Sequence, residues 1–342
     1  MNPGPHRIFL NSAILLLVLV STGHAEVDGP KILAGMSVSP SEISQLENGA
    51  MLTFSDEAYE STNRELSADA MILVQSDLAT IVKAIIKEPT LIPSHIVIGH
   101  AEIKSEADFS GMGFTDTEYG EVKKLFKAKP GDDLNFSASE YALLKRKLSP
   151  YAGGVAASQI AAASDAIREI LINRYRHYLQ NGLEGIESYA RSRTKSVDIG
   201  RELRFTTETF KPFEGDFPEF YRVMHDYPKG AECCDHYFRW LKIRIRKRPT
   251  FVLAHTMVRK TDDYVLATER YYFASSTLNS LQVTLSWLKY NEDTYMGMAM
   301  SASTDILDSM MGRLLRPVGR NLAKNMVSDI MLAVKEDIEE VR

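Results

Sequence analysis

The stretch that decides the fold is Ser280-Leu281-Gln282-Val283-Thr284-Leu285-Ser286-Trp287-Leu288. Leu281, Val283, Leu285 and Trp287 alternate with Gln282, Thr284 and Ser286. A period of two places the apolar set on one face of a strand and the polar set on the other. The pattern continues outward on both sides. Asn291-Glu292-Asp293 reads as a turn into a strand over 294–303, with Met296, Met298 and Met300 on one face. Before it, 250–259 and 264–274 read as strands around a turn at Thr261-Asp262-Asp263. Four successive strands joined by short turns imply an antiparallel meander, since parallel neighbours need a long crossover.

The period changes on either side of the meander. Residues 304–341 read as a helix, with Asp305 near its start and an expected kink or break at Pro317-Val318-Gly319. Its apolar side is Leu314, Leu315, Val318, Leu322, Met326, Ile330 and Val334. Near the N-terminus, 50–54 and 68–74 read as strands. A helix follows with Leu78, Ile81, Val82, Ile85 and Ile86 on one face, Ser76 as N-cap and Pro89 as its stop. Residues 94–103 resume a strand. Between them, 104–249 reads as mostly helical. Thr115 with Glu118 and Ser137 with Glu140 have capping-box spacing. A long helix over 157–179 ends at Asn181-Gly182, and a shorter one is expected over 183–192.

This order of elements resembles the START-like helix-grip superfamily, which includes polyketide cyclase-like and lipid-transfer proteins. The resemblance rests on 68–103 and 250–341. It implies an α+β fold in which an antiparallel sheet is gripped by a long C-terminal helix. It also implies binding of a hydrophobic small molecule or lipid between sheet and helix. The block 104–249 departs from the compact family pattern and forms a large helical insertion. No motif position matches the family's catalytic residues, so none is carried over.

The chain has 342 residues, 44% hydrophobic and 25% charged, which excludes disorder as its main state. Residues 1–25 read as a signal peptide. His6 and Arg7 begin it, Ile14 to Val20 form its apolar core, and Gly23 and Ala25 precede a cut before Glu26. The expectation is an exported protein, periplasmic or secreted, with 26–342 as one α+β domain carrying the insertion at about 104–249. The formal net charge is −5. An acidic chain is a poor general nucleic-acid binder, because phosphate contacts need clustered Lys and Arg. One basic run stands out, carrying Arg239, Lys242, Arg244, Arg246, Lys247 and Arg248. It reads as an amphipathic element with one wet side or as a peripheral contact for anionic lipid headgroups.

The motifs that name a reaction are absent. There is no Gly-x-Ser-x-Gly elbow, Walker motif, His-Glu-x-x-His or EF-hand loop, and the sequence implies neither a metal nor a cofactor. Cys233-Cys234 reads as two buried or unreactive thiols, with a disulfide or a metal site as alternatives, because adjacent cysteines serve both poorly. His255 shares strand parity with Leu253 and Met257, and a three-residue turn at 261–263 places it opposite Glu269, beside Tyr271. Leu253, His255, Met257, Glu269 and Tyr271 are therefore the candidate ligand-binding residues. The histidine and carboxylate would anchor a polar group while the others touch apolar parts. A structural His–Glu pair is the plain alternative. Three readings of function follow: non-enzymatic binding or carrying of a hydrophobic ligand; a cyclase- or hydrolase-like enzyme using His255 and Glu269; and an interaction module built on the insertion.

Overall fold

The protein is described by a computed structural model covering residues 32–33, 38–54, 60, 62–85, 96–245 and 247–339. The expected signal peptide lies outside these residues. Helix α1 (Pro40–Glu47) precedes strands β1 (Leu52–Phe54) and β2 (Glu65–Val74). Helix α2 (Leu78–Ile85) and strand β3 (Val97–Glu102) follow. Within the insertion are helices α3 (Tyr119–Leu125), α4 (Ala138–Leu148) and α5 (Ala156–Asn181), a short ribbon of β4 (Tyr189–Ala190) and β5 (Ser196–Val197), and helices α6 (Ile199–Thr209), α7 (Lys211–Asp216) and α8 (Pro218–Asp226). The chain then runs through β6 (Asp235–Ile245), β7 (Arg248–Lys260), β8 (Tyr264–Ala274), β9 (Ser280–Tyr290) and β10 (Asp293–Ser303) into helix α9 (Met310–Glu339).

Eight strands form one sheet in the order β1-β2-β10-β9-β8-β7-β6-β3, every neighbouring pair antiparallel. The meander over β7 to β10 is its centre. Strict alternation builds a separate core on each face. The insertion face carries Met71, Leu253, Met257, Leu266, Tyr272 and Leu288, packed in one cluster with side chains of α5, α6 and α8. The opposite face carries Ala70, Ala254, Ala267, Val283, Trp287 and Met298, covered by Leu78 and Ile81 of α2 and by Val327, Met331 and Ile338 of α9. The sheet is thus the middle of three layers, since each of its apolar faces must be buried against something.

Several expectations are corrected. Residues 235–245 belong to the sheet and not to the helical block, because Leu241 and Ile243 point to one core and Phe238 and Trp240 to the other. The segment 183–192 is a 3-10 turn followed by β4, not a helix. Asp77, not Ser76, caps α2, its Oδ1 accepting from the Thr80 N–H at 2.9 Å. Helix α9 runs unbroken through Pro317, and the expected apolar side is buried only in its second half, where Ile330 and Val334 pack against the sheet core. Leu314 and Leu322 are 72% and 64% exposed. Arg316 and Arg320 bind the Glu60 carboxylate, and Gly319 lies against Leu66. These contacts rotate the first half of α9 so that its bulkiest apolar residues face outward.

Candidate functional site

The turn between β7 and β8 is tighter than the sequence suggests. Thr261 N–H donates to the Tyr264 carbonyl, so Lys260 pairs with Val265, His255 with Arg270 and Thr256 with Glu269. A slip of one residue moves every side chain to the other face. Leu253, His255 and Met257 consequently lie on the insertion face, while Glu269 and Tyr271 lie on the α9 face. The expected His255–Glu269 pair does not form. Glu269 accepts instead from the Thr256 hydroxyl at 3.1 Å, and that hydroxyl also receives Arg239 Nη1 at 3.1 Å. A bulge between Leu253 and Ala254 sets both Tyr272 and Phe273 on the insertion face.

What His255 does join is a row of side chains running straight across the sheet. Ser67, Ser301, Gln282, Arg270, His255 and Phe238 are successive cross-strand partners on β2, β10, β9, β8, β7 and β6. All six share the insertion face. Gln282, Arg270 and His255 are 0% exposed. The roof over the row comes from α5, α6 and α8. Tyr178 of α5 stacks on Tyr272 with ring centroids 3.9 Å apart, and Phe238 stacks on His255 at 4.3 Å.

The hydrogen bonds at the histidine have one consistent direction. His236 Nε2 lies 2.8 Å from the Ala231 carbonyl oxygen, which can only accept, so this nitrogen carries the proton. In neutral His236 the Nδ1 is then an acceptor, and His255 Nε2–H donates to it at 2.8 Å. His255 Nδ1 in turn accepts from the Tyr178 hydroxyl at 2.9 Å. Burial keeps the His255 pKa well below its ordinary value, and the charges of His236 and Arg270 push the same way. Burial raises the Tyr178 pKa, with Arg270 acting against it. The chain therefore runs from a buried phenol to His236, which is only partly buried.

Arg270 is the unusual member. Its Nε donates to Gln282 Oε1 at 3.0 Å, and its Nη2 donates to Thr207 Oγ1 at 3.1 Å and to the Met224 carbonyl at 2.6 Å. All three partners are neutral, and so is the Tyr178 hydroxyl, which also interacts with Arg270. Arg174, the other fully buried arginine, shows the ordinary solution, a bidentate pair with Glu140 at 2.6 and 2.7 Å. Among the described residues, Arg270 Nη1, Gln282 Nε2, Tyr272 Oη and Ser67 Oγ are buried without a hydrogen-bond partner. These four share the insertion face; the Trp287 indole nitrogen, also unpartnered, belongs to the other. Farther along the insertion face, burial pushes the Asp69 carboxyl up to about 7.

Two other sequence features are now placed. Cys233 and Cys234 form a disulfide, against the expectation of two thiols. Half of the basic run is engaged: Lys242 Nζ bonds Glu118 at 2.6 Å, and Arg248 bonds Glu121 at 3.1 Å. Arg239 donates to Thr256, Arg244 and Lys247 are exposed, and Arg246 lies outside the described residues. Among the described residues, no group of three or more His, Cys, Asp or Glu could hold a metal ion.

Sequence reasoning found His255 but missed Arg270, Gln282, Tyr178 and His236. An available signal was Arg270 itself, a permanent charge within the otherwise aromatic run Tyr271-Tyr272-Phe273 that follows it. Compared with known proteins, the chain matches no family model, no curated protein and no solved structure.

Proposed function

We propose that this protein binds and carries a small amphipathic molecule, a lipid or another hydrophobic compound with a polar head, on the insertion face of its sheet. One observation carries the reading: four buried polar atoms without partners share that face, on Ser67, Gln282, Arg270 and Tyr272. Buried polar groups nearly always find partners, and each orphan costs roughly 1–3 kcal/mol. A ligand head can supply the missing partners of Arg270 and Gln282, which are direct cross-strand neighbours. The same face turns apolar toward Leu266, Leu288 and Met71, which suits the rest of an amphipathic molecule. The START-like resemblance supports the ligand class, while the polar row moves the head away from the α9 face. Access requires α6 and α8 to part from the sheet, since Thr207 and Met224 hold them to Arg270.

The test is native mass spectrometry of the full chain, followed by titration with a fluorescent long-chain probe that has a polar head. The expected result is a copurified small molecule or one saturable probe site, weakened by Gln282→Leu. A chain that carries nothing and binds no probe overturns the reading. The ordered Tyr178–His255–His236 bonds favour a second reading, acid–base catalysis at the same place. In that case the bound molecule is recovered chemically changed, and Tyr178→Phe stops the change without releasing it.

A further inference from the structure

Resting on the reading of the insertion face as a ligand site, we infer that the ligand's head is a carboxylate, held by Arg270 Nη1 and Gln282 Nε2. The first ground is charge. Arg270 is 0% exposed and cannot shed its proton, and its hydrogen-bond partners are a Gln oxygen, a Thr hydroxyl and a backbone carbonyl. An isolated buried ion is expensive, so buried charges are paired. The fold supplies such a partner to its other buried arginine, Arg174, through Glu140. No ion pair joins Arg270 to any described carboxylate, so a negative charge from outside would complete the site.

The second ground is donor geometry. Arg270 and Gln282 are direct cross-strand partners, so their side chains leave the sheet side by side. The Gln282 amide is oriented by its own oxygen, which takes Arg270 Nε–H at 3.0 Å, and this leaves its Nε2 as a donor. The orphaned atoms beside the charge are therefore two N–H groups, and they call for an acceptor. A carboxylate offers two oxygens and no proton, whereas an alcohol offers one oxygen and a proton that would need an acceptor of its own.

The third ground is charge count. The other arginines and lysine bordering this face are engaged: Arg64 by Glu202, Arg174 by Glu140, Arg191 by Asp305 and Lys242 by Glu118. Arg270 is the cation of this set without a carboxylate partner, and Glu65, buried on the same face, already places a carboxylate there that accepts from Thr206 and Ser301, so a monoanion suits the site better than a phosphate dianion.

Isothermal titration of the full chain with dodecanoate, dodecanol and dodecyl phosphate at matched concentrations tests this. The expected result is dodecanoate binding about 10- to 100-fold more tightly than dodecanol, the range that a charge-assisted bond supplies. Arg270→Met should abolish that preference by weakening dodecanoate binding to the level of dodecanol binding in the same variant. Arg270→Lys, which keeps the charge, should retain part of it. Equal affinity for acid and alcohol in the parent chain overturns the carboxylate and leaves the ligand site standing. Tighter binding of the phosphate ester than of the acid also overturns it. Binding of none of the three overturns both this inference and the reading beneath it.

Discussion

Replacing Arg270 by Met tests whether its charge is stranded in the unliganded fold. The thioether follows the arginine stem, so most packing is kept. Three acceptors lose a donor, but two retain another contact. Thr207 Oγ1 still donates to the Leu203 carbonyl at 3.0 Å, and Gln282 Oε1 still lies 3.4 Å from Thr207 Oγ1. The Met224 carbonyl is the acceptor most exposed to the loss, at roughly 1–3 kcal/mol. Against this, a buried guanidinium without a counter-charge disappears, and the effective penalty for burying an ion is several kcal/mol. The two terms nearly cancel or favour the variant. Arg270→Met should thus lose at most about 2 kcal/mol, and a gain is consistent. The internal control is Arg174→Met, which strands the Glu140 carboxylate and should lose about 3–5 kcal/mol. Urea unfolding followed by the fluorescence of Trp240 and Trp287 reads both variants on one scale. A loss for Arg270→Met as large as that for Arg174→Met would refute the reasoning, because it would mean that the fold already satisfies the charge.

Asp69 has a folded pKa of about 7 against an ordinary 3.8, so the folded chain holds its proton more tightly. That contribution is complete below the ordinary value and is lost as pH rises through about 7. Asp69→Asn should therefore raise stability at pH 8 by about 2–4 kcal/mol and leave it nearly unchanged at pH 3.5, as read from urea midpoints at the two pH values. His255 has the opposite sign: its lowered pKa means that stability falls as pH drops below about 6.5, and His255→Phe should flatten that slope in the same assay. The direction of the histidine chain predicts Nε2–H tautomers for both His236 and His255 in long-range ¹⁵N–¹H correlation spectra near pH 8; an Nδ1–H tautomer at His255 would reverse it. In α9, Met331→Ala should cost about 2–5 kcal/mol and Leu314→Ala under about 0.5, since Met331 is fully buried and Leu314 is 72% exposed; equal thermal shifts would contradict the rotation described for the helix.

Legibility in the sequence followed the range of the interaction involved. The meander was readable because alternation is local, and the capping boxes at Thr115 and Ser137 were readable for the same reason. Strand β6 and the first residue of β7 were hidden because Lys242 and Arg248 look like a wet side. Their partners Glu118 and Glu121 stand more than a hundred residues away, and nothing local announces them. The outward turn of Leu314 and Leu322 was hidden likewise, since it depends on Glu60 reaching Arg316 and Arg320. The candidate site was half legible. Parity correctly grouped Leu253, His255 and Met257. A turn one residue tighter than expected then exchanged Glu269 for Arg270 as the neighbour of His255, replacing an acid–base pair with an unmatched cation. A strand period of two makes the facing residue depend on register to the single residue, and register depends on turn geometry that composition does not specify.

The most direct measurement is a crystal structure of the full chain grown with dodecanoate. The expected result is the carboxylate on the insertion face, its oxygens about 3 Å from Arg270 Nη1 and Gln282 Nε2. A ligand lodged on the opposite face, between α9 and the strands that carry Trp287 and Met298, would contradict it.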